Sequence, residues 1–264
     1  MANFGAKDVQ KLRQSTGAGM LDAKKALESN DGDFEKAALW LREKGLASAA
    51  KRQDRENSQG AVAIAKQPNS IAMVELKCET DFVAKSTEFV NLVNSLAEAV
   101  AKEGEGVLSS HLSSVQELQV ALKENITLGR SVYFESSEGS ILDSYLHIQN
   151  DRGVNGVIVE LEGADASLAH DIAVHIAFTR PSYLSKEDVP ADLVEKERST
   201  LETISRNEGK PEAALPKIVE GRLGGWYKER VLLEQNYVKD EKQTIKSLLG
   251  NAKISRFSQI IIGA

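Results

Sequence analysis

The sequence predicts an α+β protein, and three patterns support this fold class. Apolar residues recur at helical spacing through residues 1–50. Two strand-like apolar runs, residues 71–76 and 156–161, resemble each other, and an amphipathic helix follows each of them. Two longer helical patterns interrupt the second repeat. We therefore expect a small three-helix N-terminal module, a core of two similar α/β modules, and an inserted helical hairpin.

The N-terminal module is predicted from three short apolar stripes. They consist of Val9 and Leu12, then Met20, Ala23 and Leu27, then Phe34, Ala37, Ala38 and Leu41. Gly17 and Gly19 separate the first two helices, and Asp33 is a good N-cap for the third. We expect the third helix to stop at Gly45. Residues 51–60 are charged and lack large apolar side chains, so they should form a linker.

Each core module should follow the order β-β-α-α-β, with antiparallel strands because the strands lie close in sequence. The first module is predicted from strands near 60–65, 71–76 and 130–134, with helices near 89–96 and 115–126. The second is predicted from strands near 144–148, 156–161 and 254–262, with helices near 168–176 and 244–249. The predicted units are residues 1–55, 56–140, 141–181 with 229–264, and the inserted 182–228.

The insertion is predicted as a helical hairpin. Residues 185–188 carry acids suited to a first helical turn, and residues 207–211 read as the turn between the two helices. A pair of helices is too narrow to bury its apolar stripe well. We therefore expect the hairpin to project from the core and to meet a partner or another copy of the chain.

The composition is that of an ordinary globular protein, with 41% hydrophobic and 27% charged residues. The N-terminus MANFGAKDVQ lacks a secretory signal, and no apolar run reaches the ~18 residues that span a bilayer. A single cysteine, Cys78, excludes an internal disulfide framework. These features predict a cytoplasmic protein without a membrane partner.

Charge is unevenly distributed along the chain. Residues 1–55 hold 11 Lys and Arg against 8 Asp and Glu, whereas the remainder holds 22 against 31. So acidic a body should repel nucleic-acid phosphates, and no nucleic-acid partner is expected. The mildly basic N-terminal module is compatible with docking on an acidic protein, and equally with no such role.

Enzymatic motifs are scarce. The chain has no G-x-x-x-x-G-K-[ST] loop, and Gly17-Ala18-Gly19 reads as a turn between helices. The four histidines show none of the spacings typical of metal sites, and Cys78 has no neighbouring histidine, so it reads as a small buried hydrophobe. We expect no catalytic residues, metal or cofactor.

Residues 78–85, CETDFVAK, combine an acid and an aromatic at the junction between a strand and a helix. Two interpretations remain open. In one, Thr80 or Asp81 caps the helix and Phe82 folds into the core. In the other, Phe82 is exposed beside Asp81 and inserts into a pocket of another protein, as aromatic anchors often do.

Two long motifs carry a resemblance to a known family. Residues 12–27, LRQSTGAGMLDAKKAL, and residues 78–85 are similar to the two signatures of the bacterial elongation factor Ts family. The shorter segments HIA at 175–177, VEGR at 219–222 and YVKD at 237–240 also look like the family's. The resemblance extends over nearly the whole chain.

The resemblance implies a guanine nucleotide exchange factor in translation elongation that acts on the GTPase elongation factor Tu. It also implies that the inserted hairpin is a coiled coil. Because such a hairpin buries its apolar stripe poorly, a homodimer through the hairpin is a further expectation. The residues implied in dislodging the partner's Mg²⁺ are Thr80, Asp81, Phe82 and Val83. The residues implied in binding the partner are Leu12, Arg13, Met20 and His175.

A second interpretation comes from a different class. The three-helix N-terminal module looks like a ubiquitin-associated (UBA) fold, which would make the chain a non-catalytic scaffold that binds other proteins. Asp81 and Phe82 would then belong to the core. An enzyme is the third alternative, but the sequence offers no convergent set of titratable groups.

Overall fold

The computed structural model describes residues 4–264, which form an α+β protein. Its N-terminal part contains α1 (Ala6–Thr16), α2 (Met20–Ser29) and α3 (Phe34–Ala50). Val9, Leu12, Ala23, Leu27 and Leu41, all from the predicted stripes, pack together in the small core between these helices.

Helix α3 does not stop at Gly45, and that prediction was wrong. The helix continues to Ala50, and Gly45 lies against a side chain of a later helix. A Cβ at this position would approach Val120 Cγ1 to 2.5 Å. The glycine therefore permits close packing between two helices instead of ending one.

The predicted linker is shorter than expected, because the first strand begins at Gln59. The segment before the strand is tied to the first module. Arg52 Nη2 donates to the backbone oxygen of Gln119 at 3.2 Å, and Asn125 Nδ2 donates to that of Arg55 at 2.7 Å.

The first sheet has the antiparallel order β1-β2-β3. Its strands are β1 (Gln59–Gln67), β2 (Ser70–Cys78) and β3 (Thr127–Glu135). Between β2 and β3 the chain forms the short helix α4 (Asp81–Ala84), then α5 (Thr87–Glu103), a 3₁₀ segment (Glu105–His111) and α6 (Leu112–Leu122). Helix α5 packs on one face of the sheet, and α6 packs against α5 and α3.

The second sheet repeats this arrangement with the antiparallel order β4-β5-β8. Its strands are β4 (Ser140–Gln149), β5 (Arg152–Glu162) and β8 (Lys253–Ile261), and α7 (Ala166–Thr179) follows β5. A small hairpin of β6 (Asn236–Tyr237) and β7 (Asp240–Thr244), which the sequence did not predict, precedes α10 (Ile245–Leu249).

The two sheets face each other, and the repeated apolar runs are their central strands. In β2, Val74 and Leu76 pack toward α5, whereas Met73 packs with Ile158 and Ile260 of the second sheet. Both faces of β2 and β5 are therefore buried. This explains why the two runs are nearly continuous in apolar residues rather than alternating.

The inserted segment forms α8 (Ala191–Asn207) and α9 (Leu215–Arg230), which pack against each other. The predicted start at 185–188 was wrong, because only a 3₁₀ turn (Lys186–Asp188) forms there. Pro190 disfavours helical geometry at Val189, so α8 begins after the proline. The base of the hairpin is held by the backbone bond from Leu232 N to Tyr183 O at 2.9 Å.

Within residues 4–264, none of the helices combines the length and the apolar character needed to cross a membrane.

Candidate functional site

The segment CETDFVAK, which we call the Asp81-Phe82 turn (residues 78–85), leaves the end of the central strand β2. Thr80 is the N-cap of α4, and its hydroxyl accepts a hydrogen bond from Val83 N at 3.3 Å. Ala84 is fully buried, but Phe82 is 73% exposed. Thr80 therefore does cap the helix, whereas the interpretation that Phe82 folds into the core was wrong.

The single turn of α4 has one side facing the core and one side facing solvent. Val83 packs against the core of the first module, while Asp81, Phe82 and Lys85 are exposed. Lys85 Nζ lies 4.5 Å from the centroid of the Phe82 ring and 3.5 Å from Asp81 Oδ2. An exposed cation–π contact is worth only about 0.5–1 kcal/mol. It biases the pose of the ring without preventing the ring from entering a pocket.

The base of the turn is held by Glu124, just beyond the end of α6. Glu124 Oε2 accepts from the backbone N–H groups of Glu79 and Thr80, at 3.0 and 3.1 Å. Glu124 Oε1 accepts from the Thr80 hydroxyl at 2.5 Å. In return, Asn125 N donates to Glu79 Oε1 at 2.7 Å. The turn is thus fixed at its base and exposed at its tip.

Cys78 lies under this turn and is fully buried, as predicted. Its Sγ is 3.2 Å from Thr80 O. Burial, reinforced by the nearby Glu124 carboxylate, raises the pKa of the Cys78 thiol to about 12. A thiol with so high a pKa is protonated at neutral pH and is a poor nucleophile.

The N-terminal candidates occupy two different environments. Arg13 is exposed and Met20 is 48% exposed, so both side chains are accessible. Leu12 is fully buried among the three helices. Its role in partner binding stays a prediction, and burial limits that role to positioning exposed neighbours. Leu21 and Leu39, at 83% and 57% exposure, add apolar surface here that the sequence did not single out.

His175 is also fully buried, on α7. Val238 N donates to its Nδ1 at 3.4 Å, so the ring hydrogen lies on Nε2, which donates to Gln235 Oε1 at 3.0 Å. Burial lowers the pKa of His175, and the bond to Gln235 opposes this in part. The residue is neutral and joins α7 to the β6 region. Its role in partner binding also stays a prediction, limited by burial to positioning. The nearby Phe178 is 77% exposed.

The structure brings the end of β2, which carries the Asp81-Phe82 turn, and the end of α7 to the same end of the paired sheets. Cys78, at the end of β2, pairs with Gln59, and Arg152 Nη1 at the start of β5 donates to Gly60 O at 2.6 Å. Asn155 Nδ2 reaches Ala177 O, near the end of α7, at 2.8 Å. The α3–α6 contact at Gly45 lies near the end of α6 that leads to Glu124. The Asp81-Phe82 turn and the end of α7 therefore lie at one end of the sheets, and α3 contacts the helix that leads to Glu124.

Comparisons with known proteins all identify the same protein family. The protein-family model described as "Elongation factor TS" matches residues 79–264, which is more than half of the chain. Elongation factor Ts of Clavibacter sepedonicus is 45% identical over 278 aligned residues, and that of Streptomyces coelicolor is 46% identical over 277. Both alignments cover 100% of this chain and 100% of the relative. The chain belongs to the elongation factor Ts family. It is a factor of translation elongation in protein biosynthesis.

Both sequence signatures fall within the similarity to other elongation factor Ts proteins. The family match begins at residue 79, so it includes Thr80, Asp81 and Phe82. The relatives extend the similarity through α1–α3, including that of Thermobifida fusca, 43% identical and covering 100% of this chain.

Sequence reasoning missed Glu124 and Asn125. Each is separated by more than 40 residues from the groups it binds, so no local pattern connects them to the turn. Among residues 4–264, no group of three or more His, Cys, Asp or Glu side chains is arranged to hold a metal ion.

Proposed function

We propose that this chain is a guanine nucleotide exchange factor for the GTPase elongation factor Tu. It binds the GDP-bound partner, disturbs the partner's Mg²⁺ and phosphate site, and promotes GDP release so that GTP can rebind. It is not itself a catalyst of a chemical reaction. The observation that carries the proposal is Phe82, 73% exposed beside Asp81 on a turn held at its base, in a chain of this family.

The physics of exchange requires no nucleotide contact by the factor. A GTPase holds its nucleotide through backbone donors to the phosphates and through a bridging Mg²⁺. Displacing the metal leaves phosphate charge uncompensated, and the nucleotide is then bound more weakly. The factor needs only to bind better to the partner whose metal site is distorted. Linkage then requires the nucleotide to weaken binding of the factor by the same ratio.

The four residues of the exposed helical turn have different roles in this proposal. Phe82 enters the partner, and Asp81 accompanies it as a charge beside the metal site. Thr80 fixes the start of α4 through its cap, and Val83 holds α4 against the core. The two tip residues act on the partner directly, whereas the other two position them.

Magnitudes show that Phe82 cannot act alone. Burying one Phe yields about 1.5–3 kcal/mol, whereas moving a two-state equilibrium from 1:99 to 99:1 requires about 5.5 kcal/mol. The remainder must come from a broader contact. Arg13 and Met20 supply part of it, and the end of α7 lies where the second core module can supply more. Leu12 and His175 support these surfaces from the interior.

The proposal also includes the type of the N-terminal module, the boundaries of the structural units and the nature of the inserted hairpin. The N-terminal helices form a UBA-like module, with unit boundaries at 1–55, 56–140, 141–181 with 229–264, and 182–228. Helices α8 and α9 form a coiled coil, and Ile204, 43% exposed, is a candidate contact for a second copy. The factor works with its protein partner in the cytoplasm, without binding nucleic acid or membrane.

A second candidate function is a scaffold that binds proteins through the N-terminal helices without promoting exchange. The exposed Leu21 and Leu39 favour such a contact surface. Mixing the chain with elongation factor Tu loaded with labelled GDP separates the two. Release that accelerates with increasing chain concentration supports the exchange factor, whereas binding without faster release supports the scaffold.

A further inference from the structure

Glu124 makes an unusual set of contacts for a residue outside both sequence signatures. Its two carboxylate oxygens accept three hydrogen bonds from two consecutive residues of the Asp81-Phe82 turn: the amides of Glu79 and Thr80, and the Thr80 hydroxyl. Hydrogen bonds to an ionised acceptor are roughly twice as strong as bonds between neutral groups. The contact is therefore the principal polar attachment of the turn to the rest of the first module.

The Thr80 hydroxyl makes a second hydrogen bond, in which it acts as the acceptor because its hydrogen is directed to Glu124. A hydroxyl has one hydrogen and can accept through its lone pairs. Because that hydrogen is donated to Glu124 Oε1, the oxygen is free to accept from Val83 N at 3.3 Å. This second bond is the N-cap of α4, the helix that carries Phe82. The carboxylate thus acts on the exposed ring through the threonine.

The backbone segment that carries Glu124 is itself fixed by hydrogen bonds of the residues on either side. Lys123 ends α6 in the left-handed conformation, at φ 60°, and its N–H bonds to Gln119 O. Asn125 is buried, and its side chain donates to the backbone oxygens of Gln53 and Arg55. The carboxylate therefore projects from a segment fixed between α6, β3 and the chain that leaves the N-terminal helices.

We propose that Glu124 is a positioning residue that holds the Asp81-Phe82 turn in the pose needed to enter the partner, an inference that rests on the proposed exchange function. Glu124 does not itself touch the nucleotide or the metal. Without it, Phe82 is still present and exposed, but α4 loses its fixed cap and the ring samples many orientations. The step that requires a defined ring position then becomes slower, while the wider contact with the partner remains.

The variants Glu124→Ala and Glu124→Gln test this inference in the full chain. Glu98, exposed on α5, supplies the matched control Glu98→Ala. Labelled GDP release from elongation factor Tu is timed over a range of factor concentrations, which separates the maximal rate from the half-saturating concentration. Amide hydrogen exchange at Glu79 and Thr80 reports the state of the turn in the free protein.

We expect Glu124→Ala to lower the maximal rate about tenfold, the effect of losing roughly one hydrogen bond to a charged group. The half-saturating concentration should change by less than about threefold, because the wider surface stays intact. Amide exchange at Glu79 and Thr80 should accelerate. Glu124→Gln preserves the side-chain volume and one acceptor oxygen, so its maximal rate should lie between those of Glu124→Ala and the unsubstituted chain. The maximal rate of Glu98→Ala should equal that of the unsubstituted chain.

The double variant with Phe82→Ala tests whether Glu124 acts through the ring. If it does, Glu124→Ala adds no further loss to Phe82→Ala. The inference would be overturned if the losses in maximal rate of the two single variants multiplied in the double variant. It would also be overturned if Glu124→Ala left the maximal rate unchanged, or changed only the half-saturating concentration. If the unsubstituted chain fails to accelerate release, the proposed function fails instead. In that case unaltered amide exchange in Glu124→Ala would overturn the positioning role separately.

Discussion

Arg256 Nε lies 2.6 Å from Glu160 Oε2, and the same arginine donates through Nη2 to Glu135 O of the other sheet at 2.7 Å. The pair has a counterpart in the first module, where Arg130 N donates to Glu75 Oε2 at 3.0 Å and Arg130 Nη1 reaches Gln259 O at 3.4 Å. Each repeat therefore contributes a buried glutamate on its central strand and an arginine on its third strand. Each arginine extends to the opposite sheet, so the two pairs hold the modules in a fixed relation.

We expect Arg256→Ala to destabilise the protein by about 2–3 kcal/mol, because it leaves the buried Glu160 carboxylate without its cation. The value lies below that of a fully buried pair, since the arginine side chain is 43% exposed. Arg130→Ala should cost less, because Arg130 Nε is 3.8 Å from Glu75 Oε2. Urea unfolding of the two variants provides the comparison, and equal losses would contradict the ranking.

Stability should also depend on pH through Glu160. Burial alone would raise the pKa of Glu160, but hydrogen bonds from Ser140, Ser137 and Arg256 lower it from 4.5 to about 2. A carboxyl with a lowered folded-state pKa stabilises the protein above its unfolded pKa, and this contribution is lost as pH falls from about 4.5 toward 2. The shift corresponds to about 3 kcal/mol at neutral pH.

Glu160→Gln isolates this contribution, because other acids titrate alike in both proteins. We expect the difference in unfolding free energy between the unsubstituted chain and the variant to be largest near neutral pH and to shrink below about pH 4.5. Urea titrations at several pH values measure it. A difference that stays constant down to pH 3 would contradict the assignment.

Gly45 should behave opposite to an ordinary helical glycine. Replacing glycine by alanine inside a helix normally stabilises by about 0.5–1 kcal/mol. Here the new Cβ would lie 2.5 Å from Val120 Cγ1, and a β-branched side chain has few ways to move aside. We expect Gly45→Ala to destabilise by about 1 kcal/mol.

The second site supplies the control. Adding Val120→Ala to Gly45→Ala removes the clashing methyl groups and should recover most of the loss, whereas Val120→Ala alone leaves a small void. Thermal unfolding of the two single variants and the double variant tests the contact. A Gly45→Ala variant more stable than the unsubstituted chain would rule it out.

Arg13→Ala should weaken association with elongation factor Tu more than it lowers the maximal exchange rate, because Arg13 is an exposed charge on α1 and not part of the Asp81-Phe82 turn. We expect a three- to tenfold loss of affinity, roughly that of a peripheral charge. Lys7→Ala, on the same helix but on a different side, is the control. Surface plasmon titration measures both, and unchanged affinity for Arg13→Ala would refute the prediction.

The parts of the fold that the sequence predicts well are those dictated by local pattern. The runs containing Val74 and Val159 are nearly continuous in apolar residues because both faces of a central strand are buried, and this pattern can be recognised without knowing the partner strand. The end of α3 was mispredicted because Gly45 serves a contact with Val120, which no local rule reveals. The β6–β7 hairpin was missed because β7, DEKQT, is polar throughout.

The candidate site divides in the same way. The signature located Thr80, Asp81 and Phe82, but whether Phe82 is buried depends on which side of α4 meets the core. The burial of Leu12 follows from its place in an apolar stripe. Glu124 binds a residue 44 positions away, so only the folded chain reveals it.

The most direct test of the account is the rate at which elongation factor Tu releases labelled GDP in the presence of Phe82→Ala. Removing the ring forfeits about 1.5–3 kcal/mol of contact, so we expect stimulated release to fall about 10- to 100-fold while some binding persists. Leu112→Ala removes another exposed apolar side chain, at the far end of α6. With this control variant, elongation factor Tu should release GDP as fast as with the unsubstituted chain. If Phe82→Ala and Asp81→Ala both stimulate release as fully as the unsubstituted chain, the proposed role of the turn is wrong.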